Sequence, residues 1–80
     1  MNETPAQKAL NEIAQEHKWA IEHFPAMRSP HEGYAIILEE LEELWAEVKK
    51  QHHLRDKEKM RNEAMQVAAM ALRFMVDCTT

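Results

Sequence analysis

Turn-forming residues are almost absent from this chain. It has one glycine and three prolines in 80 residues, and a sheet needs more of both for its turns. Two of the prolines stand where helices begin. Thr4-Pro5-Ala6-Gln7 offers a cap at Thr4, proline at the first helical position, and a glutamine placed to close a capping box. Ser29-Pro30-His31-Glu32 repeats the device with Ser29, Pro30 and Glu32. The remaining proline, Pro25, ends the first helix.

Apolar spacing then sets out about three helices. Residues 5–24 carry Leu10, Ile13, Ala14, Ile21 and Phe24 at helical intervals, with a gap at His17. Residues 30–51 carry Tyr34, Ile37, Leu38, Leu41, Leu44, Trp45 and Val48 as a clear stripe, which puts Trp45 in the core. Lys49 and Lys50 close that helix, where its dipole favours cations. The polar QHHLRDK stretch reads as a loop, and Asp56 can cap a third helix over 57–77. Within it AMQVAAMALRFMV is apolar almost all round, broken only by Gln66 and Arg73. Such a helix is buried on all sides, and two companions cannot enclose it. The expectation is an all-α antiparallel helical bundle, one domain over 1–80. A homo-oligomer, dimer or tetramer, completes it, with the third helix in the shared core.

Composition narrows the setting. Eighty residues make one small domain, marginal alone. The single cysteine, Cys78, permits no internal disulfide and suits a reducing, cytoplasmic compartment. The N-terminus lacks the basic start and apolar run of a signal peptide. No run approaches a membrane span, so no membrane partner is expected. A net charge of −4 argues against general nucleic-acid binding, which needs a basic footprint.

Residues 39–48, EELEELWAEV, hold five glutamates and no lysine or arginine. Like charges four apart on a helix repel, so neutralisation has to come from elsewhere. The bland account is a solvated face. The alternative is a hard divalent cation, because Glu40 and Glu43 lie at i and i+3 and Glu63 on the third helix can face them. Mg²⁺ takes oxygen ligands, commonly a few carboxylates with water and phosphate oxygens.

These residues resemble a known family. Leu38-Glu39-Glu40-Leu41-Glu42-Glu43-Leu44 is similar to the EExxEL signature of the MazG-like, all-α nucleoside triphosphate pyrophosphohydrolases. The resemblance extends over about 31–77. It includes His31-Glu32-Gly33-Tyr34 and Gln66-Val67-Ala68-Ala69-Met70-Ala71, which look like a small branch found in phages and bacteria. For a phage-encoded chain it implies the bacterial host's cytoplasm. The family's ExxE pair falls on Glu40 and Glu43. Its ExxD pair falls on Glu63 and Gln66, so glutamine stands where the pattern has aspartate.

The resemblance implies Mg²⁺ held by Glu40, Glu43, Glu63 and, more weakly, Gln66. It also implies water attack that splits a triphosphate between the α and β phosphates, giving a monophosphate and pyrophosphate. Metal ions bridge anionic substrate and anionic glutamates and neutralise developing charge. A carboxylate not used by metal can take the water's proton, and Glu39 and Glu47 are placed for that catalytic role. A neutral Gln66 weakens metal binding and raises a second possibility: a pocket that holds a linear or cyclic nucleotide without cutting it, a receptor or sponge. A plain helical protein-interaction module is a third.

Candidate nucleotide contacts are Lys18, Trp19, His23, Arg28, Tyr34 and Arg73. For the aromatic members the default is burial. Trp19, with His23 one turn on, is the better candidate for touching a base. Arg73 is a lone cation in an apolar run and needs a partner, a helix-two glutamate or a ligand phosphate. Met60, Met65, Met70 and Met75 recur every five residues and wind round the helix as adaptable packing. His52 and His53, adjacent and without further ligands nearby, read as loop residues.

Overall fold

Residues 2–80 are described by a computed structural model. Three helices form: α1 (Pro5–His23), α2 (Pro30–Val48) and α3 (Lys57–Thr79), with a short 3-10 turn at His52–Leu54 before α3. The chain is all-helical and, among the described residues, has no strand. No helix among them is long and apolar enough to cross a membrane.

All three helix starts are capped as the sequence indicates. The Thr4 hydroxyl accepts from the Gln7 N–H and that of Ser29 from the Glu32 N–H, and Asp56 accepts from the N–H groups of Glu58 and Lys59. The boxes themselves are not closed. Gln7 turns forward and donates to Asn11. The Glu32 carboxylate reaches past Ser29 to accept from the Arg28 backbone N–H and guanidinium. α2 ends about three residues earlier than expected. There Arg55 Nε donates to the free Val48 carbonyl at 2.8 Å, supplying a partner that the end of a helix lacks.

The spatial order differs from the chain order. α3 lies in the middle, packed against both α1 and α2, while the backbones of α1 and α2 do not approach one another. The arrangement is flattened, 41 × 37 × 20 Å. Gly33 lets α2 come close to α3. A Cβ there would stand 2.6 Å from the Phe74 ring and 3.0 Å from the Met27 sulfur.

Among the described residues the buried apolar core is small, Ala20, Met27 and Ala69, with Arg73 buried beside them. Arg73 finds neither of its expected partners. Its guanidinium donates to Asp77 at 2.9 Å and to the Ala20 and Phe24 carbonyls at 3.0 and 2.9 Å. It therefore ties the C-terminal end of α1 to α3, giving the Phe24 carbonyl a donor and the Ala20 carbonyl a second one beside the Phe24 N–H. Asp77 also accepts from the Met27 N–H at 3.0 Å. As expected of two companions, α1 and α2 do not enclose α3, and Met75 and Val76 stay exposed. One expectation fails within the single chain: Trp45 is not in the core but 59% exposed. The cause is the middle position of α3, which turns one stripe of α2 inward and leaves Trp45 on the other.

Candidate functional site

Glu40 and Glu43 sit on successive turns of α2, and α3 brings Glu63 opposite them. One carboxylate oxygen from each lies within 4.8 Å of the other two. The α2–α3 packing creates this meeting, with Gly33 permitting the close approach at its N-terminal end.

Three carboxylates that close disfavour full ionisation. Burial pushes the Glu40 carboxyl up to about 7, helped by the charge and hydrogen bond of Glu43 and by the charges of Glu63 and Glu39. Burial also raises Glu63, with further contributions from Glu43 and from the Glu47 charge. Without a cation the trio keeps a proton near neutrality. With one, the same oxygens are a hard-ligand set suited to Mg²⁺ or a similar ion.

A groove of about 500 Å³ runs beside the trio, floored by α3 and walled by α1 and α2. Glu39, Glu40 and Gln66 line its acidic part. Gln66 follows Glu63 by three residues, so the two share a face of α3. Trp19, Phe24 and Met70 add aromatic and apolar surface, and Glu16 and Glu32 add two more acids. His23 stacks on Trp19 with ring centroids 4.2 Å apart and planes at 16°, and Phe24 meets Trp19 edge-on at 5.6 Å. His23 Nδ1 is 2.7 Å from the Trp19 carbonyl oxygen, which fixes the ring. Trp19 remains 46% exposed on the groove.

The other singled-out residues scatter. Glu47 is bound to Lys50 at 2.8 Å, so its carboxylate already has a cation. Arg28 pairs with Glu32 at 2.7 Å on the surface. Lys18 is exposed and falls on the side of α1 opposite buried Ala20 by helical geometry. Tyr34 is 65% exposed and lies about 150° round α2 from the acidic pair. Arg73 lines the groove, but Asp77 and α1 occupy its donors. Glu16 and Phe24 also line the groove and were missed as site residues. Glu16 stands three residues before Trp19, so the sequence carried that signal. Nothing local marked Phe24.

Comparisons with protein-family models, curated proteins and solved structures return no match.

Proposed function

We propose that the protein is a Mg²⁺-dependent nucleoside triphosphate pyrophosphohydrolase, acting on NTP or dNTP. The observation that carries the reading is the meeting of Glu40, Glu43 and Glu63 within 4.8 Å, beside a groove that Glu40 shares with Trp19 and Phe24. The carboxylates match a metal-bound polyphosphate and the aromatic side chains a base. In this reading Mg²⁺ supplies charge neutralisation to the phosphates and acidity to water. Glu40, Glu43 and Glu63 hold the ion, with the Gln66 side-chain oxygen as a neutral fourth donor. Glu39, at the groove wall and free of the trio, accepts the proton of the attacking water. Glu47 is the weaker candidate for that step because Lys50 holds it. Trp19, braced by His23 and Phe24, offers its exposed surface to the base. Water adds at phosphorus, the α–β bridging bond breaks, and the products are a monophosphate and pyrophosphate.

A second reading follows from Gln66. With a neutral donor beside the trio, the groove holds a nucleotide, linear or cyclic, without cleaving it. The reading also includes self-association, since the lone chain leaves eleven large apolar side chains exposed among the described residues. A cytoplasmic setting, where triphosphates and Mg²⁺ are abundant, goes with it.

The test is a product assay. The protein is incubated with pooled triphosphates and cyclic nucleotides plus Mg²⁺, then denatured, and the small molecules are separated. Monophosphate and pyrophosphate, lost in Glu63→Gln, support the enzyme. An intact pool with one nucleotide retained by the folded protein and released on denaturation supports the binder. An intact pool with nothing retained refutes both.

A further inference from the structure

Apolar side chains are exposed on all three helices, but only α2 presents them as one continuous stripe. Tyr34, Leu38, Leu41 and Trp45 are 65, 38, 48 and 59% exposed. Helical geometry puts them within about 60° of one another, on the side of α2 away from α3. Ile36, Ile37, Leu44 and Val48 take the more buried positions.

The surface of the whole chain points the same way. A compact monomer of 9.4 kDa is expected to expose about 5,000 Å². This chain exposes 6269 Å². The excess, on the order of 1,200 Å², exceeds the roughly 800 Å² that each partner contributes to a standard stable interface. Tyr and Trp are also the side chains that most often dominate binding energy.

The spacing identifies the occupant. From Tyr34 to Leu38 is four residues, to Leu41 three, and to Trp45 four again. That order reads the same in both directions. If a twofold axis crosses α2 between Glu39 and Glu40, Tyr34 of one chain meets Trp45 of the other. Leu38 then meets Leu41, and each pair occurs twice. An isologous interface requires this self-complementarity. Antiparallel helices also set their dipoles in opposition. An anionic membrane surface fits poorly, because Glu42 flanks the stripe and the chain carries a net charge of −4.

We infer that the protein forms a twofold dimer through antiparallel packing of α2 on α2 of a second copy, with Trp45 seated against Tyr34 at both ends. The inference rests on the self-association stated above and not on the nucleotide chemistry. The acidic trio lies on the far side of α2, so both grooves stay open in the dimer.

The test is the mass in solution by light scattering over a dilution series, with the full chain. Wild type is expected at twice the 9.4 kDa chain mass. Trp45→Glu and Leu41→Glu are each expected to raise the dissociation constant at least ~30-fold, the loss of one dominant interface side chain. Both positions are exposed in the single chain, so helicity by circular dichroism should hold. Met75→Glu, on α3, should leave the dimer intact. In a Cys78→Ser background, a mixture of Leu38→Cys and Leu41→Cys chains should cross-link more readily than either alone. A monomeric wild type overturns self-association and the face together. A dimer that survives both α2 charges overturns the face alone. Cross-linking no better in the mixture than in the single variants overturns the antiparallel register.

Discussion

Removing the charge of Glu40 should stabilise the metal-free protein, and more so as the pH rises. Folding raises this carboxyl from an ordinary 4.5 to about 7. The folded state therefore binds the proton more tightly than the unfolded chain does. Stability from this group is fully present below about pH 4.5 and is lost as the pH climbs through 7. The full shift is worth about 3.4 kcal/mol as an upper bound. Glu40 is only partly buried, and solvent screening reduces that figure, so about 1–2 kcal/mol is the working expectation. Glu40→Gln cannot ionise and escapes the loss. Its advantage over wild type should therefore grow by about 1–2 kcal/mol between pH 5 and pH 8 in chelator-treated buffer. For a domain of this size each 1 kcal/mol moves the midpoint by about 4–8 °C. The assay is thermal unfolding of both proteins at the two pH values, and comparing differences cancels the titration of other groups. Adding Mg²⁺ at pH 8 should narrow the gap by stabilising wild type. A gap that stays constant from pH 5 to pH 8 would refute the reasoning, because the trio would then carry no strain on ionisation.

Other expectations concern the packing around the site. Arg73→Met should cost about 3–5 kcal/mol in denaturant unfolding, since it strips the Phe24 carbonyl of its donor, removes one of the two donors to the Ala20 carbonyl and leaves the Asp77 carboxylate without its cation; a loss under 1 kcal/mol would show that these bonds do not hold α1 in place. The Met27 N–H and Arg73 both lower the Asp77 carboxyl, so its contribution is present above the ordinary carboxylate range and lost as pH falls below it. In Arg73→Met the acid limb of the stability curve should accordingly flatten. Gly33→Ala gains about 1 kcal/mol of helix propensity but forces the Phe74 ring away. Overpacking costs about 1–3 kcal/mol, so a net loss is expected, read as a lower unfolding midpoint. Trp19 fluorescence should be quenched by a nucleotide in the presence of Mg²⁺, and the signal should vanish in Trp19→Leu while Trp45→Leu keeps it.

What the sequence made legible is local. Thr4, Ser29 and Asp56 announce the helix starts because a cap acts on N–H groups two or three residues away. Glu40 and Glu43 can be placed on one helix face from their spacing, the need to neutralise them points to Glu63 on a facing helix, and the resemblance adds Gln66. The structure brings those carboxylates together. The order of the helices in space was not legible. Chain order alone gives no sign that α3 lies between α1 and α2, and that placement decides the rest. It turns Trp45 and Tyr34 outward although both follow the apolar stripe. It gives Arg73 to the end of α1 rather than to a helix-two glutamate. It opens the groove where Phe24 and Glu16 meet Gln66. That two neighbours leave part of α3 uncovered was legible from its all-round apolar composition, and Met75 and Val76 are indeed exposed in the single chain.

The central claim is that Glu40, Glu43 and Glu63 form a cation site. Calorimetric titration of Mg²⁺ into the chelator-treated protein tests it most directly, near pH 7 where Glu40 is half protonated. The account predicts saturable binding of at least one ion per chain, with proton release revealed by a dependence of the heat on the buffer, and loss of both in Glu43→Gln and in Glu63→Gln. Absence of saturable binding in wild type, or binding that both variants retain unchanged, would contradict it.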